Sequence, residues 1–354
     1  MATKIAHQVF PIIFLDANTL LCYKRGNIIR FNIKTNNSNV ICKMPLDDLR
    51  KVLSYSDIAT RRFGLNAIKG QMIDEKSVLI AFRHKIYVLN LVDNKLREIP
   101  FDKLAGANGN ALSFTNTSYG VLWGDYGYNP QKESVGIYKM DGTSLEVSRL
   151  FTFPKGSINH IHRIVEDKTT HRFWIFTGDF GDSAAIYYSD DYFKSVHKFV
   201  SGDQKYRACL GYSVDNCLYY VSDSPDEDCN GVYMIDDNSC KLLHKTRGSV
   251  IYGVYERDSF IFSSTVENQS IEHENTKNNW KYNLGKGIQD WNIELSKYNI
   301  RTQEYKTLLT CKKDILPMMP FLYGCFRFPA NTSSKTICFG QAITRFDQWL
   351  LLVE

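Results

Sequence analysis

Long apolar runs, helical periodicity and blocks of one charge are all scarce in this 354-residue sequence. No apolar run approaches the roughly 20 residues that a membrane-spanning helix requires. The N-terminus has neither an apolar signal core nor a small-residue cleavage site. We therefore expect no membrane span and no secretory leader.

Basic clusters and cysteine pairs are missing as well. The formal net charge is +5 without a lysine or arginine block, which argues against a nucleic-acid partner. The nine cysteines contain no Cys-x-x-Cys pair, so we expect reduced, mostly buried thiols and a cytoplasmic protein. Because phosphate-binding loops, dinucleotide fingerprints and Gly-x-Ser-x-Gly elbows are also absent from the sequence, we expect no cofactor.

Aromatic residues, in contrast, are abundant, with 21 Tyr, 21 Phe and 5 Trp. Such side chains favour strands because they pack well on a pleated surface. One segment, Pro45 to Leu53, has the pattern of a short helix. The remainder consists of short apolar or alternating runs separated by Asn, Asp, Gly and Ser, which is typical of many short strands.

A repeated unit organises these strands. Each copy has a strand, an acidic loop, a second strand and an Asp turn, and successive copies lie roughly 40 to 55 residues apart, as propeller blades do. The three copies are Tyr119–Asp141, His171–Asp191 and Asn216–Asp237, with loop aspartates Asp125, Asp179 and Asp223.

This spacing predicts an all-β fold, a single β-propeller of four-stranded blades. Seven blades fit best, and six to eight are compatible with the repeat. One domain would cover residues 1–354. A strand at 4–10 would complete the C-terminal blade at 318–354 and close the ring, which removes exposed sheet edges. Residues 268–300 would form a polar insertion.

The fold predicts which polar residues meet. In an up-and-down blade, the loop between strands two and three returns to the end where strand one begins, so the Gly-Asp-Phe-Gly-Asp loop faces the inner-strand entrance. The polar residue at the start of the inner strand differs from repeat to repeat, while the backbone pattern stays the same. Such variation on a repeated scaffold is expected of a ligand-binding funnel. The predicted neighbours are His160 with Gly178 and Asp179, His162 with Phe176, Asn110 with Asp125, and Arg207 with Asp223.

His160 and His162 lie two residues apart on a strand, so their side chains project to the same side. With Asp179 they could bind a transition metal, they could transfer protons, or one could simply pack. We assign His160, His162 and Asp179 as candidate catalytic residues and assign no metal.

Substrate contacts are predicted from the same repeat. The guanidinium fork of Arg207 suits a carboxylate, with a salt bridge to its own loop, Asp223 or Asp226, as the alternative. Aromatic side chains either stack on a sugar ring or fill the core. The predicted substrate-binding residues are Asn110, Trp123, Asp125, Arg207, Asp223, Tyr252 and Tyr323.

The segment YYSDDYFKSV resembles the Asp-box (BNR) repeat of sialidase-like propellers, Ser-x-Asp-x-Gly-x-Thr-Trp. Ser189 and Asp191 match, Ser195 stands at the threonine position, and Phe193 and Val196 replace the glycine and the tryptophan. The segment also lies at the strand three to four turn, where that family carries the box.

The resemblance implies that Asp190 and Asp191 lock a turn, and that the chain is a carbohydrate-active or glycan-binding propeller for an acidic surface polysaccharide. Because the Arg-Ile-Pro motif of true sialidases is absent, sialidase activity is not expected. A glycoside hydrolase would use two of the loop aspartates, whereas a polysaccharide lyase would use Arg207 with His160. The competing prediction is a scaffold propeller that binds a protein partner, which an exposed apolar patch would support.

Overall fold

The computed structural model describes residues 2–100, 111–236, 239–268 and 284–354. These residues form seven four-stranded antiparallel sheets. The prediction of an all-β, seven-bladed propeller is confirmed. Among the residues that the structure describes, no helix reaches the length and apolarity needed to cross a bilayer, and all nine cysteines are free thiols.

The first half of the chain contains four sheets, a leading strand and two helices. In chain order these are β1 Ala2–His7; β2 Phe10–Phe14, β3 Thr19–Lys24, β4 Asn27–Asn32 and β5 Ser38–Lys43; α1 Asp48–Leu53 and α2 Asp57–Arg62; β6 Ile68–Met72, β7 Ser77–Phe82, β8 Lys85–Asn90 and β9 Leu96–Ile99; β10 Thr115–Thr117, β11 Gly120–Gly124, β12 Val135–Met140 and β13 Val147–Phe153; and β14 His160–Glu166, β15 Phe173–Gly178, β16 Ala185–Ser189 and β17 His197–Ser201.

The remaining sheets follow the same meander. Their elements are β18 Ala208–Val214, β19 Cys217–Ser222, β20 Gly231–Ile235 and β21 Cys240–Lys245; β22 Tyr252–Glu256, β23 Ser259–Ser263, β24 Asn292–Asn299 and β25 Tyr305–Lys312; the helical turn α3 Met318–Phe321; and β26 Cys325–Arg327, β27 Thr336–Gln341 and β28 Trp349–Val353.

The N-terminal strand pairs with the last strand of the chain. β1 lies antiparallel to β28, and the sheet order is β1-β28-β27-β26. The predicted strand at 4–10 is shorter, because Gln8 has a left-handed φ of 55° that ends it, and Phe10 already belongs to β2.

Part of the predicted insertion at 268–300 is wrong. Residues 269–283 lie outside the described residues, but β24 is a regular blade strand paired with both β23 and β25. Its buried side chains Ile293, Leu295 and Tyr298 are separated by polar residues, so the alternation is harder to recognise than in the wholly apolar strands.

The predicted helix at 45–53 is present but shorter. α1 begins after Asp47, whose side chain accepts a hydrogen bond from the Arg50 N–H and so caps the first turn. A second helix, α2, follows after Ser56, which caps it in the same way through the Ala59 N–H. That second helix was not predicted.

The chain divides into two compact units. Unit 1 comprises Met1–Ile68, Pro225–Asn230 and Thr246–Glu354, and unit 2 comprises Lys69–Ser224 and Gly231–Lys245. Within unit 2, neighbouring blades bury a shared core; for example Leu122 and Ile137 of one blade pack with Ile161 and Ile175 of the next. The single-domain boundary stays a prediction.

The turn between β16 and β17 is closed by side chains. The carboxylate of Asp191 accepts hydrogen bonds from the Ser195 N–H (2.9 Å), the Ser195 hydroxyl (2.7 Å) and the Ser189 hydroxyl (3.0 Å). Asp190 instead pairs with Arg172 at 2.7 Å. Asp191 therefore bonds within the turn and Asp190 to the neighbouring Arg172. Membership of the Asp-box family stays a prediction.

We expect this turn to weaken in acid. The backbone and hydroxyl donors of Ser195 lower the pKa of Asp191 from 3.8 to about 2, so its stabilising effect is complete above about pH 4 and lost as the pH falls through 2. The melting-temperature difference between wild type and Asp191→Asn should therefore shrink as the pH falls from 6 toward 2. Asp190→Asn is the control, and a difference that does not vary with pH would contradict the expectation.

Candidate functional site

The inner strand and its neighbour place the two predicted histidines beside the acidic loop. His160 is paired with Gly178 in the β14–β15 ladder, and Asp179 follows directly, so the predicted meeting of His160 with Asp179 is confirmed. The predicted partner of His162 is wrong by one residue, because a register shift between Ile161 and Arg163 places Arg163 opposite Phe176.

Three potential ligand atoms meet at this end of the blade. The Nε2 atoms of His160 and His162 are 3.0 Å apart. The Oδ1 atom of Asp179 lies 3.2 Å from the first and 3.4 Å from the second. Both histidines are buried, whereas the Asp179 side chain is 27% exposed. We call these three residues the His–Asp cluster.

The other ring nitrogens of the two histidines are held by backbone carbonyls. The Nδ1 atom of His160 lies 2.8 Å from the Gly127 oxygen, and that of His162 lies 3.2 Å from the Ala208 oxygen. A carbonyl can only accept, so each Nδ1 carries the proton. In the neutral rings both Nε2 atoms therefore present lone pairs to the cluster.

The backbone of Asp179 is held from two sides. Its N–H donates to the Asn159 side chain at 3.3 Å, and its carbonyl accepts from the Gln204 side chain at 2.9 Å. Asn159 is itself anchored by Asn129, because the side-chain amide of each residue donates to the backbone carbonyl of the other. These supports keep the carboxylate in position before any ligand arrives, and their roles were not predicted.

Glycine is required at position 178 because the His162 ring packs against its Cα. A Cβ at Gly178 would overlap the imidazole, so Gly178→Ala should push His162 out of the cluster and cost about 1–3 kcal/mol in the free energy of unfolding. Gly142→Ala is the matched control, because a Cβ added at Gly142 would lie 3.9 Å from the nearest atom, the Ile73 methyl, and would not overlap it. Chemical denaturation of both variants measures the difference, and equal losses would contradict the packing argument.

Charge and burial act in opposite directions at Asp179. Burial disfavours its charged form, but the Arg207 guanidinium, helped by the histidines when one carries a proton on Nε2, holds the pKa of its carboxyl well below the ordinary value. Burial lowers the pKa of His162, although Asp179 pulls it the other way. The cluster thus combines an ionised carboxylate with a buried histidine that burial keeps toward its neutral form.

Arg207 joins this cluster to the next blade. Its Nη2 lies 3.4 Å from Asp179 Oδ1, and its Nε lies 3.4 Å from Asp223 Oδ2. The Asp223 N–H also donates to the Arg207 carbonyl at 2.8 Å, so the predicted pairing of these residues is confirmed. Asp223 is buried, and its Oδ2 accepts from the Cys209 thiol at 3.4 Å.

Two aromatic rings lie beside the cluster in the described part of the chain. The Tyr126 ring lies 4.5 Å from the His160 ring, and the Phe180 ring lies 5.6 Å from the Arg207 guanidinium. Phe180 follows Asp179 in the acidic loop, so its place beside the predicted site residues could have been anticipated from the loop alone.

Two predicted substrate-binding residues, Trp123 and Asp125, are buried within their blade, and their role stays a prediction. Trp123 is 2% exposed and stacks on Tyr138 within the core. Asp125 is also buried, and its carboxylate accepts from the Gly136 N–H at 2.9 Å and from the Tyr138 hydroxyl at 3.1 Å. Both side chains point into their own blade, because the loop aspartate here closes the β11–β12 connection.

The remaining predicted contacts fall elsewhere. Asn110 lies outside the described residues. Tyr252 and Tyr323 belong to unit 1, where their hydroxyls hydrogen-bond to each other at 3.0 Å and the Arg327 guanidinium lies 4.7 Å from the Tyr252 ring. Asp223 is 2% exposed and lies 3.4 Å from the Arg207 Nε atom, and its predicted role in substrate binding stays a prediction.

No family model and no curated protein matches this sequence. Among solved structures, the chain is similar to the oligogalacturonate lyase of Vibrio parahaemolyticus, with a TM-score of 0.59, 8% identity and coverage of 100% of this chain and 93% of that one. It is also similar to a chain of the mitotic checkpoint complex, with a TM-score of 0.55, 7% identity and coverage of 100% and 92%. These similarities support the fold alone.

Proposed function

We propose that this propeller binds an acidic, uronate-containing saccharide at the His–Asp cluster and cleaves it by elimination. The observation that carries the proposal is the convergence of Arg207, His160 and His162 on the partly exposed carboxylate of Asp179, with atom separations of 3.2 to 3.4 Å. A guanidinium and two imidazoles beside this partly exposed side chain are groups that suit a carboxylated ligand.

Elimination fits these residues better than hydrolysis. A glycoside hydrolase needs two carboxyl groups that both reach the glycosidic bond. Asp125 and Asp223 are buried and bonded within the protein, so Asp179 is the only one of the three loop aspartates with a substantially exposed side chain. The repeat therefore supplies one accessible carboxylate to this site.

In an elimination, a cation neutralises the sugar carboxylate while a base removes the proton on the adjacent carbon. The electron pair forms a carbon–carbon double bond as the bond to the glycosidic oxygen breaks, and that oxygen is protonated on leaving. Arg207 supplies charge next to the site, and His160 and the adjacent Tyr126 are the proton carriers. The Vibrio structure is named as a lyase of oligogalacturonate, a substrate of this chemical class.

The test is mass spectrometry of products after incubation with uronate-containing, sialylated and neutral oligosaccharides. We expect only the uronate panel to be cut, into fragments whose masses sum to that of the substrate. Fragments that together contain one added water would replace elimination with hydrolysis. Retention without cleavage would reduce the proposal to a glycan-binding module, and neither cleavage nor retention would overturn it.

One observation favours the second candidate, a propeller that binds a protein. The segment containing α1 and α2 exposes five large apolar side chains, which is unusual for so short a segment; they are Leu49, Val52, Tyr55, Ile58 and Phe63. Light scattering of wild type and a Leu49→Glu, Val52→Glu double variant tests this surface. A larger mass for wild type only would support it, and identical monomeric masses would leave it without support.

A further inference from the structure

We propose that His160, His162 and Asp179 bind a divalent transition-metal ion, with zinc the ion that best suits their donor atoms. This inference does not depend on the saccharide proposal, because it rests on the geometry of the unbound residues. It also revises the initial assignment, in which the cluster contained no metal.

The separations of the three donor atoms are those of a coordination site. The distances of 3.0, 3.2 and 3.4 Å define a triangle whose corners lie on a circle of radius about 1.9 Å. A point just off the plane of this triangle, on either side, therefore lies about 2.0–2.1 Å from all three atoms, the usual zinc–ligand distance. The three separations therefore allow one ion to contact all three donor atoms at the usual distance.

The hydrogen bonds of the histidines point to the same conclusion. Each Nδ1–H donates to a backbone carbonyl, Gly127 for His160 and Ala208 for His162. This is the usual arrangement around metal-bound histidines, since it fixes the tautomer and aims the other nitrogen at the ion. Without a cation, two lone pairs and a carboxylate oxygen would face one another at hydrogen-bond distance.

A neighbouring set of residues, His162 with Cys209 and Asp223, suits a metal less well. The Cys209 thiol donates to Asp223, and burial raises the pKa of that thiol well above its ordinary value, with the Asp223 charge adding to the effect. Asp223 is also paired with Arg207. The accessible edge of Asp179, in contrast, leaves room for a water or ligand oxygen to complete the coordination sphere, as in catalytic zinc sites.

The ion changes the charge of the site. Asp179 and Asp223 together cancel Arg207 and leave one negative charge in excess, so a divalent ion makes the group positive by one charge. An anionic ligand oxygen is then attracted to the open position. A ligating His160 could not also carry a proton in the proposed elimination, which leaves Tyr126, whose ring lies 4.5 Å from the His160 ring, as the candidate for that role.

The experiment is titration of the full chain, first stripped with a chelator, with zinc chloride in a calorimeter, followed by metal analysis after desalting. We expect one zinc per chain and at least about 100-fold weaker binding in His160→Ala, His162→Ala and Asp179→Ala. His197→Ala is the matched histidine control, and Cys209→Ser tests the neighbouring set. Both should bind like wild type.

Cobalt(II) supplies a second readout that separates lost binding from lost folding. Its visible absorption reports nitrogen and oxygen ligands, while thiolate ligands add a strong near-ultraviolet band. Circular dichroism of each stripped variant shows whether it is folded. Absence of stoichiometric binding by folded wild type, or a cobalt spectrum unchanged by His160→Ala and His162→Ala, would overturn the proposal and leave a shared proton as the cation of the cluster.

Discussion

Replacing Arg61 with Met should destabilise the protein by about 3–5 kcal/mol, the usual cost of leaving buried charges without their partner. Arg61 is 2% exposed. Its guanidinium donates to the Phe321 carbonyl at 2.6 and 2.9 Å, to Asp347 at 3.0 Å, and to Asp314. Removing it leaves two carboxylates of unit 1 with one fewer cation and a carbonyl with one fewer donor.

The two carboxylates respond differently to their surroundings. Burial raises the pKa of Asp347 despite the nearby guanidinium, whereas at Asp314 the hydrogen bonds from Arg61 and Lys313 outweigh burial and lower the pKa. Asp347 is thus the carboxylate whose charge is harder to maintain. Adding Asp347→Asn to Arg61→Met should therefore recover part of the loss.

Urea denaturation of the single and double variants measures these effects. Arg247→Met is the control: the Arg247 side chain is 31% exposed, against 2% for Arg61, so we expect a loss below about 1 kcal/mol. Equal losses in the free energy of unfolding for Arg61→Met and Arg247→Met would show that burial does not strengthen the interactions of Arg61.

Much of the fold could be predicted because each blade repeats one local pattern. Strands such as β15 and β19 are mostly apolar runs bounded by polar turns that contain Asp, so their number and order follow from the sequence. β24 was missed because its buried Ile293, Leu295 and Tyr298 alternate with polar residues behind a long polar segment. α2 was missed because it has only six residues, and the polar Ser56, Asp57 and Thr60 within and before it are also common in loops.

The site was predicted only where backbone pairing decides it. The positions of His160 and Asp179 follow from the ladder, and the shared side of His160 and His162 follows from strand geometry. Asp125 occupies the repeat position that Asp179 has in the next blade, yet it and the nearby Trp123 point into the core. The repeat specifies where the backbone lies, but it does not specify the direction of each side chain. The carbonyls that hold the histidine rings come from other strands or loops, and sequence spacing cannot reveal them.

Replacing Arg207 should have the largest effect on the proposed activity. Its guanidinium spans two carboxylates, at 3.4 Å from Asp179 and 3.4 Å from Asp223, and a lysine ammonium is a single point charge that cannot reproduce this fork. We expect Arg207→Lys to remain folded, because a cation remains among the buried carboxylates. We also expect it to cleave uronate oligosaccharides at least about 100-fold more slowly, the usual effect of losing one fixed donor to a developing charge.

Arg207→Ala should be both inactive and less stable, because it removes the cation and leaves Asp223 buried without it. Arg247→Lys is the matched control for the exchange of arginine for lysine and should turn over at the wild-type rate. Initial rates measured at saturating and limiting substrate distinguish the two roles of Arg207. A loss confined to KM would assign it to substrate binding, a loss in kcat would assign it to stabilisation of the developing charge, and a wild-type rate in Arg207→Lys would show that its contribution is only to hold the two carboxylates together.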